Sequence, residues 1–161
     1  LASLFIELVA KYTYLQKDLV SCMEHFKEWC YTINYVSPDD DYDGFCANNK
    51  ENTRRKSVAK FLVNLARREH IPHTVILDII KHTHDRLASL INEDDKRDTV
   101  DEMSEIVAII AIEGKDYLSD HDGWDSIVTA ISQIAKMKSK EHESLSNKTV
   151  FKYMDILDVI G

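Results

Sequence analysis

Two apolar stripes separated by Ile71-Pro72 set what this chain can become. Across residues 54–91, RRKSVAKFLVNLARREHIPHTVILDIIKHTHDRLASLI, Val58, Phe61, Leu62 and Leu65 recur at i, i+3, i+4 and i+7, the spacing of one buried helical face. Beyond the break, Ile76, Ile79, Ile80, Thr83, Leu87, Leu90 and Ile91 keep that period. Proline lacks an N–H, so Pro72 suits the first turn of a helix and disfavours helix at Ile71. The spacing predicts an antiparallel helical hairpin whose stripes need neighbours on both sides.

The remaining sequence supplies them. Only four glycines and two prolines occur in 161 residues, which predicts one all-α domain over residues 1–161. Leu1, Leu4, Phe5, Leu8 and Tyr12 mark a short first helix, and Leu15, Leu19, Cys22, Met23, Phe26, Cys30 and Ile33 a longer second one. Residues 35–51, with Pro38, Asp39-Asp40-Asp41 and Gly44, read as a long acidic loop. Thr99-Val-Asp-Glu102 has the form of a capping box opening a helix that Gly114 would stop. Asp122 suits the cap of the next helix, with Trp124, Ile127, Val128 and Ile131 as its core face. A last helix starts near Ser146 with Val150, Met154 and Leu157 as its stripe, leaving Phe151 toward an edge. About seven helices in antiparallel pairs, at a period near 40 residues, predict a HEAT-type α-solenoid.

The net charge of −8 argues against a protein whose main task is non-specific nucleic-acid binding, which needs surplus Lys and Arg. Cys22 and Cys30, eight positions apart on one helix, lie roughly 12 Å apart, too far to bridge. With an odd cysteine count and no Cys-x-x-Cys pair, a reducing, intracellular setting is expected. The longest apolar run, residues 106–112, is too short to span a bilayer.

Three patterns are candidate chemistry. Arg54, Arg55, Lys56, Lys60, Arg67 and Arg68 gather on one helix. They read either as a solvated face or, at Arg54, Lys56, Lys60, Arg67 and Arg68, as an RNA-phosphate contact. Asp39, Asp41, Asp43 and Gly44 match the opening of an EF-hand calcium loop, but Lys50 stands where the bidentate Glu belongs. His84-Asp85 and His121-Asp122 resemble the His-Asp pair of a metal-dependent phosphohydrolase, with His70, His73 and Asp78 as further ligand candidates. No Glu-x-x-His pair occurs. No catalytic residue, metal or cofactor is expected.

Several runs together resemble one family. Lys60-Phe61-Leu62-Val63-Asn64-Leu65, then Arg67-Arg68 and Ile71-Pro72, resemble the third helix of the middle domain of eukaryotic initiation factor four-gamma. Ala111-Ile112-Glu113-Gly114-Lys115-Asp116-Tyr117-Leu118 is similar to its Thr-x-Gly-Lys-x-Leu signature. Residues 146–151 and 155–159 resemble its Ser-x-Arg-x-x-Phe and Asp-x-Leu-Asp-Leu. Cys22-Met-Glu-His-Phe26 resembles its Cys-Gln-x-x-Phe. Val63 replaces a Gly, Glu113 an apolar residue and Lys148 an Arg, as in a divergent member of protist or large-virus origin. The family's first helical pair and last helix have no counterpart within residues 1–161.

The resemblance implies a non-enzymatic scaffold for translation initiation in the cytoplasm, or the host cytoplasm if viral. Such a scaffold clamps a DEAD-box RNA helicase of the initiation factor four-A type and reaches a cap-binding protein through regions outside this chain. It also implies helicase contacts at Lys148, Phe151, Lys152, Asp155 and Asp158. Relatives holding paralogous helicases in splicing, mRNA decay or ribosome assembly are the alternative, and a calcium-responsive helical protein is another.

Overall fold

In the computed structural model, residues 2–12 and 14–161 are described. They form α1 (Ala2–Lys11), α2 (Tyr14–Tyr31), α3 (Tyr42–Arg67), α4 (His73–Leu90), α5 (Arg97–Leu118), α6 (Trp124–Ala135) and α7 (Asn147–Ile160), with a 3-10 turn at Ser139–Glu141. No strand occurs among them. No helix of the described residues is long and apolar enough to cross a membrane.

Helices α3, α5 and α7 lie side by side and run the same way. Lys56 meets Glu102 and Arg67 meets Asp116 between α3 and α5. Thr149 meets Asp101 and Lys152 meets Glu105 between α5 and α7. Helices α2, α4 and α6 form a second row. Lys27 pairs with Asp78 and Cys30 bonds Thr83 between α2 and α4, while His73 of α4 touches His121 just ahead of α6.

The expected hairpin exists, but its packing differs by one helix. α3 and α4 touch each other far less than either touches α5, and α6 packs along α7. α5 and α6 are joined by a short turn without packing along each other. The reason is the width of the faces. α4 buries Ile76, Leu77, Ile79, Ile80, Leu87 and Leu90, more apolar surface than the narrow stripe of α3 can cover. α5 presents Val100, Met103, Ile106, Val107 and Ile110 to fill it.

Several expected boundaries move. Residues 35–51 are not one loop, because α3 begins at Tyr42. Asp41 is its cap: its Oδ1 accepts from Gly44 N at 2.9 Å, and Asp43 in the first turn suits the helix dipole. The acidic run is therefore a helix start, and the connector shortens to residues 32–41. α5 starts at Arg97, so Thr99 is buried inside its first turns rather than capping it. Gly114 lies within α5, which continues to Leu118. A Cβ there would stand 2.6 Å from Leu118 Cδ1, so close packing explains this glycine. Gly123, with φ +96°, occupies the cap position expected for Asp122. Pro72 caps α4 instead of entering its first turn.

The first stripe is rotated from its expected position. Leu4 and Leu8 face solvent, while Ala2, Phe5 and Ile6 pack on the core and Leu1 lies outside the described residues. The Phe5 ring meets Phe61 edge-on at 5.3 Å.

Candidate docking surface

Ser146 stops the chain from fraying at the head of α7: its Oγ accepts from Thr149 N at 3.0 Å and donates to Asp101. Thr149 Oγ1 donates to Asp101 Oδ1 at 2.6 Å, so one α5 carboxylate holds both. One turn on, Lys152 Nζ pairs with Glu105 at 3.2 Å, and near the far end Lys115 donates to the Val159 carbonyl. Inward, Val150, Tyr153, Ile156 and Ile160 enter the core.

Tyr153 was not among the expected stripe residues, although 150, 153, 156 and 160 follow the helical period. It is fully buried, and its hydroxyl lies 3.1 Å from His84 Nδ1. Burial pushes the phenol above its ordinary range. Burial also lowers the His84 pKa, against the pull of Asp85. His84 is thus held neutral in the fold, while the unfolded chain takes up its proton near the ordinary value of 6.5. Stability is full above that pH and falls as pH drops from it toward the folded value. Urea midpoints of the native chain should fall between pH 7.5 and pH 5 more than those of His84→Gln. The limit is about 1.4 kcal/mol per pH unit for one proton. Parallel midpoints for the two proteins would remove His84 as the cause.

The opposite face of α7 is bare. Phe151 is 61% exposed and Met154 46%. With Asp155 and Asp158, also exposed, they stand at i, i+3, i+4 and i+7, a single strip, with Lys148 one turn before it. Of the residues expected to touch a helicase, Lys148, Phe151, Asp155 and Asp158 share this strip. Lys152 turns to Glu105 and fastens the helix from beside it. Side chains of this kind, an aromatic and a thioether flanked by carboxylates, suit a partner with an apolar recess and a basic rim.

No protein-family model, curated protein or solved structure matches this chain. What it does must be argued from its own side chains.

Most of the basic residues of α3 have partners, though Arg54, Lys60 and Arg68 stay exposed. Lys56 Nζ lies 2.6 Å from Glu102, Lys60 3.3 Å from Glu113 and Arg67 3.2 Å from Asp116. Arg68 donates to Ser3 Oγ at 2.8 Å, and Arg54 stands 4.0 Å from Glu51 and over the Trp29 ring. Spacing places Lys56, Lys60 and Arg67 on one face; it could not show that acids of α5 lie opposite them. Trp29 packs against Phe26 and beneath Arg54 and Arg55. Trp124 is buried, as its spacing predicts.

The His and Asp candidates diverge. His84 points inward while Asp85 pairs with Lys81 at 2.7 Å on the outside. His82 turns to Asp78 of its own helix at 3.1 Å, and His73 Nδ1 lies 2.6 Å from His121 Nε2. Among the described residues, no group of three or more His, Cys, Asp or Glu could hold a metal ion. The EF-hand resemblance meets a helix, since residues 42–50, Lys50 included, are helical.

Proposed function

We propose that the two rows of helices form a HEAT-type solenoid whose α7 face docks a DEAD-box RNA helicase of the initiation factor four-A type, as a non-enzymatic scaffold in cytoplasmic translation initiation. The observation that carries this reading is the position of Phe151. The aromatic of the Ser-x-Lys-x-x-Phe run stands in solvent, on a helix anchored along its other faces by Asp101, Glu105 and Lys115. An exposed aromatic on a fixed helix loses little side-chain entropy on binding, which favours it as an anchor. A scaffold raises helicase activity only by binding the closed, competent arrangement more tightly than the open one. The order of neighbours, α3–α5–α7 in one row and α2–α4–α6 in the other, supports the solenoid part of the reading.

The test is a titration of a four-A helicase with this chain, read by calorimetry and by RNA-dependent ATP hydrolysis. Binding with a raised hydrolysis rate is expected. Absence of both at micromolar concentrations sinks the assignment, and binding confined to a paralogous helicase moves it out of initiation.

A further inference from the structure

The cations of this acidic chain are almost all answered where they leave bulk water. Lys27 meets Asp78, Lys56 meets Glu102 and Lys152 meets Glu105. Buried Arg55 bonds the Trp29 carbonyl and Asn52, and Lys115 the Val159 carbonyl. Two partly buried cations lack such a partner among the described residues: Arg86, whose guanidinium bonds only the Ser89 hydroxyl at 3.3 Å, and Lys96. Both line one cavity. It measures about 290 Å³ and opens where the end of α4 meets the start of α5, under the connector after α2. Asp95 at the same cavity makes no ion pair with either cation, so two partly buried positive charges share one concavity with no anion in contact.

The walls of the cavity are fixed. Lys96 N donates to Ser144 Oγ at 2.8 Å, and that hydroxyl donates to the Glu93 carbonyl at 2.6 Å from a fully buried position. On the other side, Asn48 Nδ2 holds the Asn34 carbonyl at 2.9 Å. Tyr31 and Tyr35 also line the cavity, 46% and 50% exposed, so their rings are not used by the core. Asp95, at the same cavity with φ 57°, is an acceptor for ligand hydroxyl or amino groups.

We propose that this cleft is a binding site for a nucleoside monophosphate unit, its phosphate between Arg86 and Lys96 and its base against Tyr31 and Tyr35. Phosphate gives both cations a doubly accepting partner, and guanidinium suits it in planar two-point contact. Stacking on tyrosine accepts any base. A cavity of this volume has room for a single nucleotide. The site is separate from the α7 strip and stands or falls without it.

Calorimetric titration of the whole chain with adenosine monophosphate, inorganic phosphate and hexauridylate tests it. Adenosine monophosphate should bind more tightly than inorganic phosphate, with affinity falling as salt rises. Arg86→Gln and Lys96→Gln should each weaken it about tenfold, the worth of one charge-assisted contact. Tyr35→Ala should weaken the nucleotide and leave inorganic phosphate unchanged. Hexauridylate binding more tightly than the free nucleotide, and competing with it, would identify a strand as the source of the unit. Weaker hexauridylate binding would identify the free nucleotide. No binding of either at millimolar concentration overturns the proposal. So does binding that survives the double Gln variant with an unchanged helical circular dichroism spectrum.

Discussion

Phe151→Ala should leave the chain folded and cost it a helicase partner. Because the ring is 61% exposed, its removal takes little from the core, and unfolding free energy should stay within about 0.5 kcal/mol of the parent. An anchor aromatic at the centre of an interface is worth about 2 kcal/mol or more, so helicase affinity should drop roughly thirtyfold. Two positions along the same helix, Tyr153→Ala should do the reverse. The fully buried ring and its contact with His84 would be lost, at about 3–5 kcal/mol, and the protein would melt early. The pair is measured together by urea unfolding and by calorimetric titration. A Phe151→Ala protein that binds undiminished would remove the strip from consideration.

The second large effect is expected at Arg55, which the sequence places among five other cations yet the fold buries to 4% exposure. Its Nε donates to the Trp29 carbonyl at 3.1 Å, its Nη1 to Asn52 Oδ1 at 2.6 Å and its Nη2 to Thr32 Oγ1 at 3.1 Å. The Trp29 ring lies 5.1 Å from the guanidinium carbon. One side chain therefore closes the end of α2 onto α3. Burial pulls its pKa down from the ordinary value, partly opposed by Cys30, Glu51 and Glu102. Arg55→Met keeps much of the bulk but leaves the buried Asn52 oxygen without its donor and removes the guanidinium from the Trp29 carbonyl, which Thr32 still reaches, and should cost about 3 kcal/mol. Arg54→Met, at the exposed neighbour, should cost about 0.5 kcal/mol or less. Arg55→Lys should recover little, since an ammonium cannot reach three acceptors in one plane. Equal midpoints for the two Met variants would refute this account of the α2–α3 junction.

What could be read from the residues followed the physics of repetition. Apolar spacing located the helices, because a buried face must recur every three or four residues whatever it packs against. Partnership between helices was not legible. The stripe of α3 says that something covers it, not that α5 does so more than α4. Ends were legible only where one residue decides them. α7 starts beside Ser146 as expected, with that hydroxyl as its cap, while the acids before Tyr42 served equally well as loop or as helix start. For the docking strip, spacing alone put Phe151 off the main stripe, and the discovery that Tyr153 takes the core position explains why there was room for it outside. The cleft at Arg86 and Lys96 joins residues far apart in sequence, with no local signal to connect them.

One property of α5 reaches beyond cohesion. Five of its six carboxylates divide between two sides: Glu102, Glu113 and Asp116 toward α3, Asp101 and Glu105 toward α7. The exposed pairs among them, Lys60–Glu113 and Arg67–Asp116, add about 1 kcal/mol or less each to cohesion. Their arrangement nonetheless labels position. A slip of α5 by one turn, about 5.4 Å, would carry Ile106 toward the Lys56 ammonium and leave Glu102 unanswered. The helix is thus keyed against a slip in that direction, a register that apolar contacts alone would accept. Two helices on, the same carboxylates hold Ser146, Thr149 and Lys152 along one side of α7, so that Tyr153 turns inward and Phe151 outward.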